Sequence, residues 1–138
     1  LELSRNVEKL FGISCRFVCK RPVLIYDNIM AVHLYRIVQE AVSNAIKHGK
    51  ATDIRIKIKS DNGNNILTIK NNGLAFRRAS DRHRGMGISI MKHRSEIIGA
   101  SLDIRSDVES GTVVTCIFPN THGVKRGTRK WQEKRSLG

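Results

Sequence analysis

The sequence predicts an α+β fold, a two-layer α/β sandwich whose mixed sheet of about five strands is covered on one face by about three helices. Three observations carry that expectation. Alternating apolar and polar residues mark strands, most cleanly over residues 53–59. Apolar residues spaced three and four apart mark helices, most cleanly over residues 34–45. The elements follow in the order helix, strand, helix, strand, strand, helix, strand, strand. Strands joined by hairpins are antiparallel and only two crossovers contain helices, which excludes a doubly wound parallel sheet.

Each element has its own local reason. Residues 1–11 place Leu3, Val7, Leu10 and Phe11 at helical spacing, and Gly12 is a fitting stop. Residues 14–20 alternate, with Cys15, Phe17 and Cys19 on one side, until Pro22 breaks the run; this reads as a strand near a sheet edge. Asp27 or Asn28 caps the long helix that follows, and Gly49 fits its C-terminal stop. Residues 53–59 turn Ile54, Ile56 and Ile58 inward, and Asp61-Asn62-Gly63-Asn64 returns the chain into a strand at 66–70 as a hairpin. Residues 71–84 lose periodicity and gather Arg77, Arg78, Arg82, His83 and Arg84, which predicts a mobile basic loop. Helical spacing returns over residues 86–98 through Ile90, Met91, Arg94, Ile97 and Ile98, with Gly99 near the end. A second hairpin joins 102–106 to 112–118 through Glu109-Ser110-Gly111, and Pro119 stops it.

With 138 residues, 40% of them hydrophobic, the chain suits one domain with a core, expected over residues 1–120. No run approaches the roughly 20 apolar residues of a membrane span, and the N-terminus has no signal-peptide pattern, so the segment is expected to be soluble, without membrane insertion. Cys15 and Cys19 would lie about 13 Å apart along a strand, too far to bridge. With Cys116 they read as buried small hydrophobes in a reducing, cytoplasmic compartment. The net charge of +13 is uneven: residues 121–138 hold six cations against Glu133, a net +5, and read as a basic, flexible tail. Such charge attracts nucleic acid nonspecifically, but only 5% of residues are aromatic, too few for base-stacking platforms, so no specific nucleic-acid partner is expected.

The chemistry concentrates on the long helix. Glu40, Asn44 and His48 recur every four residues and, with Lys47, form one stripe, while Leu34, Ile37, Val38, Ala41, Val42 and Ala45 form the opposite, apolar side. A solvated face would carry interchangeable Lys and Glu pairs; this one sets out a carboxylate, an amide, a cation and an imidazole in order. Asn71-Asn72-Gly73 follows a strand directly, where Gly73 turns the backbone or lets a flat ligand approach closely. Gly85-Met86-Gly87 opens a helix, and free N–H groups at a helix start bind phosphate. Together the three supply oxygen ligands for Mg²⁺, a strand-end pocket for a base and a terminus for phosphates. Mg²⁺ takes one or two protein oxygens plus phosphates and water, which Asn44 satisfies.

In this order the residues resemble the catalytic, ATP-binding domain of bacterial two-component sensor histidine kinases, in the wider group that includes gyrase, Hsp90 and MutL. Residues 34–48 resemble that family's N-box, particularly in the subfamily paired with NarL-type response regulators. Residues 69–73 and 85–94 resemble its two glycine boxes, and Gly111-Thr112 its late Gly-Thr pair. The resemblance implies a Bergerat-type sandwich with ATP and Mg²⁺ as cofactors. It also implies phosphoryl transfer to a histidine on a separate dimerisation segment, within a cytoplasmic part of a sensor that can itself be membrane-bound. It places Asn44 on Mg²⁺, Glu40 as the catalytic polar or basic group near the γ-phosphate, and Lys47 and His48 facing the phosphates. Gly73 would leave room for adenine, Gly85, Met86 and Gly87 would form the phosphate-side turn, Thr112 would close the adenine end, and residues 74–84 would be the lid. At the head of the first glycine box the family normally has an aspartate that accepts from the adenine amine, and Asn71 stands there instead. An amide lacks the carboxylate's charge assistance, and its NH₂ must avoid that amine. The alternative is a degenerate ATPase-like module that binds partners without catalysis.

Overall fold

In the computed structural model, the described residues are 2–21, 23, 25, 27–74, 82–107 and 109–120, with side chains described outside 82–86. Their order is α1 (Glu2–Phe11), β1 (Ser14–Val18), α2 (Asn28–Lys47), β2 (Asp53–Asp61), β3 (Asn64–Asn71), α3 (Arg82–Ile97), β4 (Ser101–Asp107) and β5 (Gly111–Pro119). The strands form one five-stranded sheet in the order β1-β2-β3-β5-β4. β1 runs parallel to β2 and the other neighbours pair antiparallel, so the sheet is mixed as expected. β1 has a single neighbour and is the edge strand that Pro22 suggested.

The core lies between this sheet and α2. Leu34, Ile37, Val38, Ala41, Val42 and Ala45 are all buried, and they face Ile54, Ile56, Leu67, Ile69, Val114, Cys116 and Phe118 of the strands in one apolar cluster. Asp27 is the α2 N-cap: its Oδ1 accepts from the N–H groups of Ile29 at 2.9 Å and Met30 at 3.2 Å. The β2–β3 turn puts Asn62 at φ 49° and Gly63 at φ 82°, the two positive values a two-residue hairpin loop needs. On the open face, the carboxylate of Asp53 sits between Arg16 at 3.8 Å and Arg55 at 3.3 Å.

Four details depart from the sequence expectation. β1 ends at Val18, so Cys19 lies beyond the strand, half-buried, with its thiol donating to the Arg21 carbonyl at 2.9 Å rather than packed in the core. Leu10 and Phe11 are 75% and 55% exposed, because α1 rests on the sheet's edge and only Leu3 and Val7 meet the core. Phe17 is exposed on that same edge. α3 starts at Arg82 rather than at Gly85: residues 82–84 include no proline, and arginine and histidine enter a helix at little cost. Residues 75–81 of the expected lid and the basic tail at 121–138 lie outside the described residues.

Cys15, Cys19 and Cys116 are free thiols. Burial pushes the Cys116 thiol up to about 11, and burial together with the nearby carboxylates of Glu8 and Asp53 does the same at Cys15. Raised values keep both protonated and unreactive well above neutral pH. A disulfide reagent at pH 8 is therefore expected to titrate one thiol of the native chain rapidly, Cys19, and all three only in denaturant. Rapid reaction of two or more in the native state would contradict this placement.

Candidate functional site

The stripe on α2, the end of β3, the early part of α3 and the start of β5 meet at one place. Asn44, Asn71 and Thr112 line a narrow cleft, with about 20 Å³ of internal space, together with Ala41, Ala45, Gly49, Ile69, Leu74, Met91, Ile104 and Val114. Its floor is apolar and its polar groups are few, the usual make-up of a small-molecule site.

α2 and α3 come together through Gly87. A Cβ there would lie 2.8 Å from Asn44 Nδ2, 3.1 Å from Asn44 Oδ1 and 3.1 Å from Glu40 Oε1, so the buried glycine gives both side chains their room. Asn44 Nδ2 is buried and has no hydrogen-bond partner among the described residues. An orphaned donor of this kind costs about 1–3 kcal/mol and is retained where something else uses the group.

The β3 end is held by backbone contacts that composition does not reveal. A Cβ on Gly73 would come within 2.5 Å of the Gly49 carbonyl oxygen, and the Leu74 N–H donates to that oxygen at 2.7 Å. Asn72 was part of the quoted motif without a role; its Oδ1 accepts from the N–H groups of Thr52 and Asp53, both at 2.9 Å, and its Nδ2 donates to Thr52 Oγ1 at 3.0 Å. It ties the exit of β3 to the entry of β2. Asn71 is 8% exposed, and its Oδ1 accepts from the Gly73 N–H at 2.7 Å. Thr112 is Asn71's register partner on β5, buried, with its hydroxyl 2.8 Å from that of Ser106.

Not every residue of the expected set reaches the cavity wall. Lys47 is exposed and lines a separate groove between α1 and α2 with Leu3, Val7, Phe11, Gln39, Val42, Ser43 and Ile46. The reason is helical: Lys47 continues the four-residue column of Gln39 and Ser43, whereas Glu40, Asn44 and His48 form the neighbouring one. His48 is half-buried and caps α2, its N–H donating to the Asn44 carbonyl at 3.0 Å. Gly85 and Met86 fall in the first turn of α3, and the Met86 side chain lies outside the described residues. The helix start thus precedes the glycines by three residues.

The comparisons with known proteins fit this geometry. Residues 30–122 match the histidine kinase-, DNA gyrase B- and HSP90-like ATPase family. The chain belongs to that family. It is similar to the nitrate/nitrite sensor protein NarQ of Escherichia coli, 33% identical over 106 residues that cover 76% of this chain and 19% of NarQ. It is also 29% identical to the oxygen sensor histidine kinase NreB of Staphylococcus carnosus, over 85% of this chain and 34% of NreB. The chain thus spans between a fifth and about a third of the length of these relatives. The ATP-binding domain of PrrB from Mycobacterium tuberculosis shares the fold, with a TM-score of 0.71 at 18% identity over 86% of this chain and 88% of that one. This chain's two-layer sandwich is that of its structural neighbours.

Proposed function

We propose that this module seats Mg²⁺-nucleotide in the cavity between α2, β3, α3 and β5. From there it passes the γ-phosphoryl group to a histidine on a separate dimerisation segment, for relay to a NarL-type response regulator in the cytoplasm. The observation that carries the reading is the meeting of Asn44, Glu40 and Gly87, because it sets an amide and a carboxylate together beside a residue of α3 that has no side chain. In-line phosphoryl transfer asks mainly for positioning and charge stabilisation, and such a constellation supplies both.

Asn44 is the magnesium ligand in this reading, with Glu40 near the γ-phosphate and His48 one helical turn beyond. Gly73 and Thr112 bound the base, and Gly85, Met86 and Gly87 lie on the phosphate side. The donor set suits the ion. Among the described residues no group of three or more His, Cys, Asp or Glu forms a metal cage, whereas Mg²⁺ prefers few protein oxygens and completes its shell with phosphate and water. Bound there, the ion neutralises charge on the phosphates. Lys47 stands apart from this set, in the α1–α2 groove. The non-catalytic alternative is not favoured, since the family match comes with the retained Glu40, Asn44 and Gly87. Among the described residues no helix is long and apolar enough to cross a membrane, consistent with a part that stands outside the bilayer.

Calorimetric titration of the chain with Mg²⁺-nucleotide triphosphate is expected to show one site, weakened by roughly 10- to 100-fold in Asn44→Ala. Equal affinity for the nucleotide with and without Mg²⁺, in the native chain and the variant alike, would remove Asn44 from the role given to it.

A further inference from the structure

We propose that Asn71 turns the base end of this site from 6-aminopurines toward 6-oxopurines, so that the chain binds inosine or guanosine triphosphate in preference to ATP. The proposal rests on the reading that Gly73 and Thr112 bound the base, at the end of the cleft that Asn71 also lines, and it deepens that reading by naming the base.

The argument begins with one hydrogen bond. Asn71 is 8% exposed and accepts from the Gly73 N–H at 2.7 Å. A main-chain N–H can only donate, so the amide atom facing Gly73 is the oxygen, and the orientation is fixed by chemistry. The other amide atom, Nδ2, is then the one left for the cavity that Asn71 lines, and it has no partner among the described residues. It offers N–H donors and no lone pair.

A 6-aminopurine presents N–H donors at position 6, so donor would face donor. Flipping the amide to offer its oxygen would oppose Nδ2 to the Gly73 N–H and lose the 2.7 Å bond. A 6-oxopurine presents an acceptor oxygen at that position, and Asn71 meets it without moving. The neighbouring ring atom N1 changes in the opposite sense: an acceptor in adenine, a protonated donor in hypoxanthine and guanine. Thr112, directly across from Asn71 in the β3–β5 register, carries a hydroxyl that donates or accepts by rotation. Its partner at 2.8 Å, the Ser106 hydroxyl, is equally able to exchange roles. Thr112 therefore tolerates either base, and Asn71 decides between them.

A carboxylate at this position would keep the Gly73 bond with one oxygen and give the cavity an acceptor with the other. Asn71→Asp is nearly isosteric and inverts the preference without altering shape. The test is calorimetric titration of the native chain and Asn71→Asp with the Mg²⁺ complexes of ATP, ITP and GTP. ITP differs from ATP only at position 6 and the attendant N1 proton, so the ratio of the two affinities within one protein cancels every phosphate and metal contribution. The native chain is expected to bind ITP and GTP on the order of 10-fold more tightly than ATP, and Asn71→Asp to reverse that order, moving the ratio roughly 100-fold in all.

A ratio that Asn71→Asp leaves unchanged, or a native preference for ATP, overturns the base assignment while the magnesium-nucleotide site stands. Absence of binding for all three nucleotides in both proteins overturns the site as well. The native ITP to ATP ratio needs no variant and decides the matter should Asn71→Asp fail to fold.

Discussion

Gly87→Ala is expected to weaken Mg²⁺-nucleotide binding by roughly 10- to 100-fold with little net change in the stability of the fold. The two effects arise from separate causes and so can be told apart. A methyl group at Gly87 would stand 2.8 Å from Asn44 Nδ2, closer than real Cβ atoms approach, with Asn44 Oδ1 and Glu40 Oε1 both at 3.1 Å. Glu40 is half-buried with a longer side chain, and it can turn away. Asn44 has less freedom, because its Nδ2 is already fully enclosed and α2 fixes its backbone against the core at Ala41 and Ala45. The amide therefore swings toward the cavity, where the phosphates and their ion belong, and its oxygen leaves the place from which it would ligate. Stability changes little: alanine within a helix gains about 0.5–1 kcal/mol over glycine, and displacing the Asn44 amide costs a similar amount. Calorimetry on the variant, paired with urea denaturation, checks both arms. A dissociation constant within threefold of the native value would show that Asn44 does not depend on the space at Gly87.

Much of this arrangement was legible in the sequence, and the limits of legibility have a physical origin. A periodic signal is local: α2 announces itself because six apolar positions recur at 3.6-residue spacing, and all six are buried. β2 is equally plain, since its isoleucines alternate with cations, and Asn62-Gly63 gives the hairpin its two left-handed residues. The polar column Glu40, Asn44 and His48 could be placed on one face by the same arithmetic, although Lys47 could not, being one column over. What left no periodic trace was approach between backbones distant in sequence. Nothing in residues 69–73 says that Gly73 will press on the Gly49 carbonyl, and nothing in 85–87 says that Gly87 will clear a place for Asn44. Motif resemblance located those glycines without giving the reason for them. Helix and strand ends were the other weak point. Cys19 lost its predicted burial because β1 stops at Val18, and α3 gained residues 82–84, since their side chains neither favour nor forbid a helix strongly enough to set a boundary.

Gly111→Ala is expected to destabilise the chain by about 3–5 kcal/mol, a large part of the roughly 5–15 kcal/mol typical of a domain. Two penalties coincide at this residue. Its φ of +93° is one that side chains with a Cβ rarely adopt, which costs about 1–3 kcal/mol. A Cβ would also collide with the carbonyl oxygen of Asn71 and lie 2.9 Å from Asn72 Cα, atoms of the main chain that no rotamer change can remove. Relief requires β5 to back away from β3, and those strands pair along their whole length in the middle of the sheet, from Asn64 opposite Pro119 to Asn71 opposite Thr112. Gly63→Ala is the matched control. Gly63 also has a positive φ, 82°, but nothing lies within 4 Å of a Cβ there, so only the conformational penalty applies and the expected loss is about 1 kcal/mol. Urea midpoints for the two variants separate space from backbone conformation: at a slope of about 1–3 kcal/mol per molar, Gly111→Ala should fall further by roughly 1–2 M. Equal midpoints would mean that β5 does not close on the Asn71 carbonyl. The buried wall formed by Asn71 and Thr112 would then lose the contact that holds its two strands in register at the cavity.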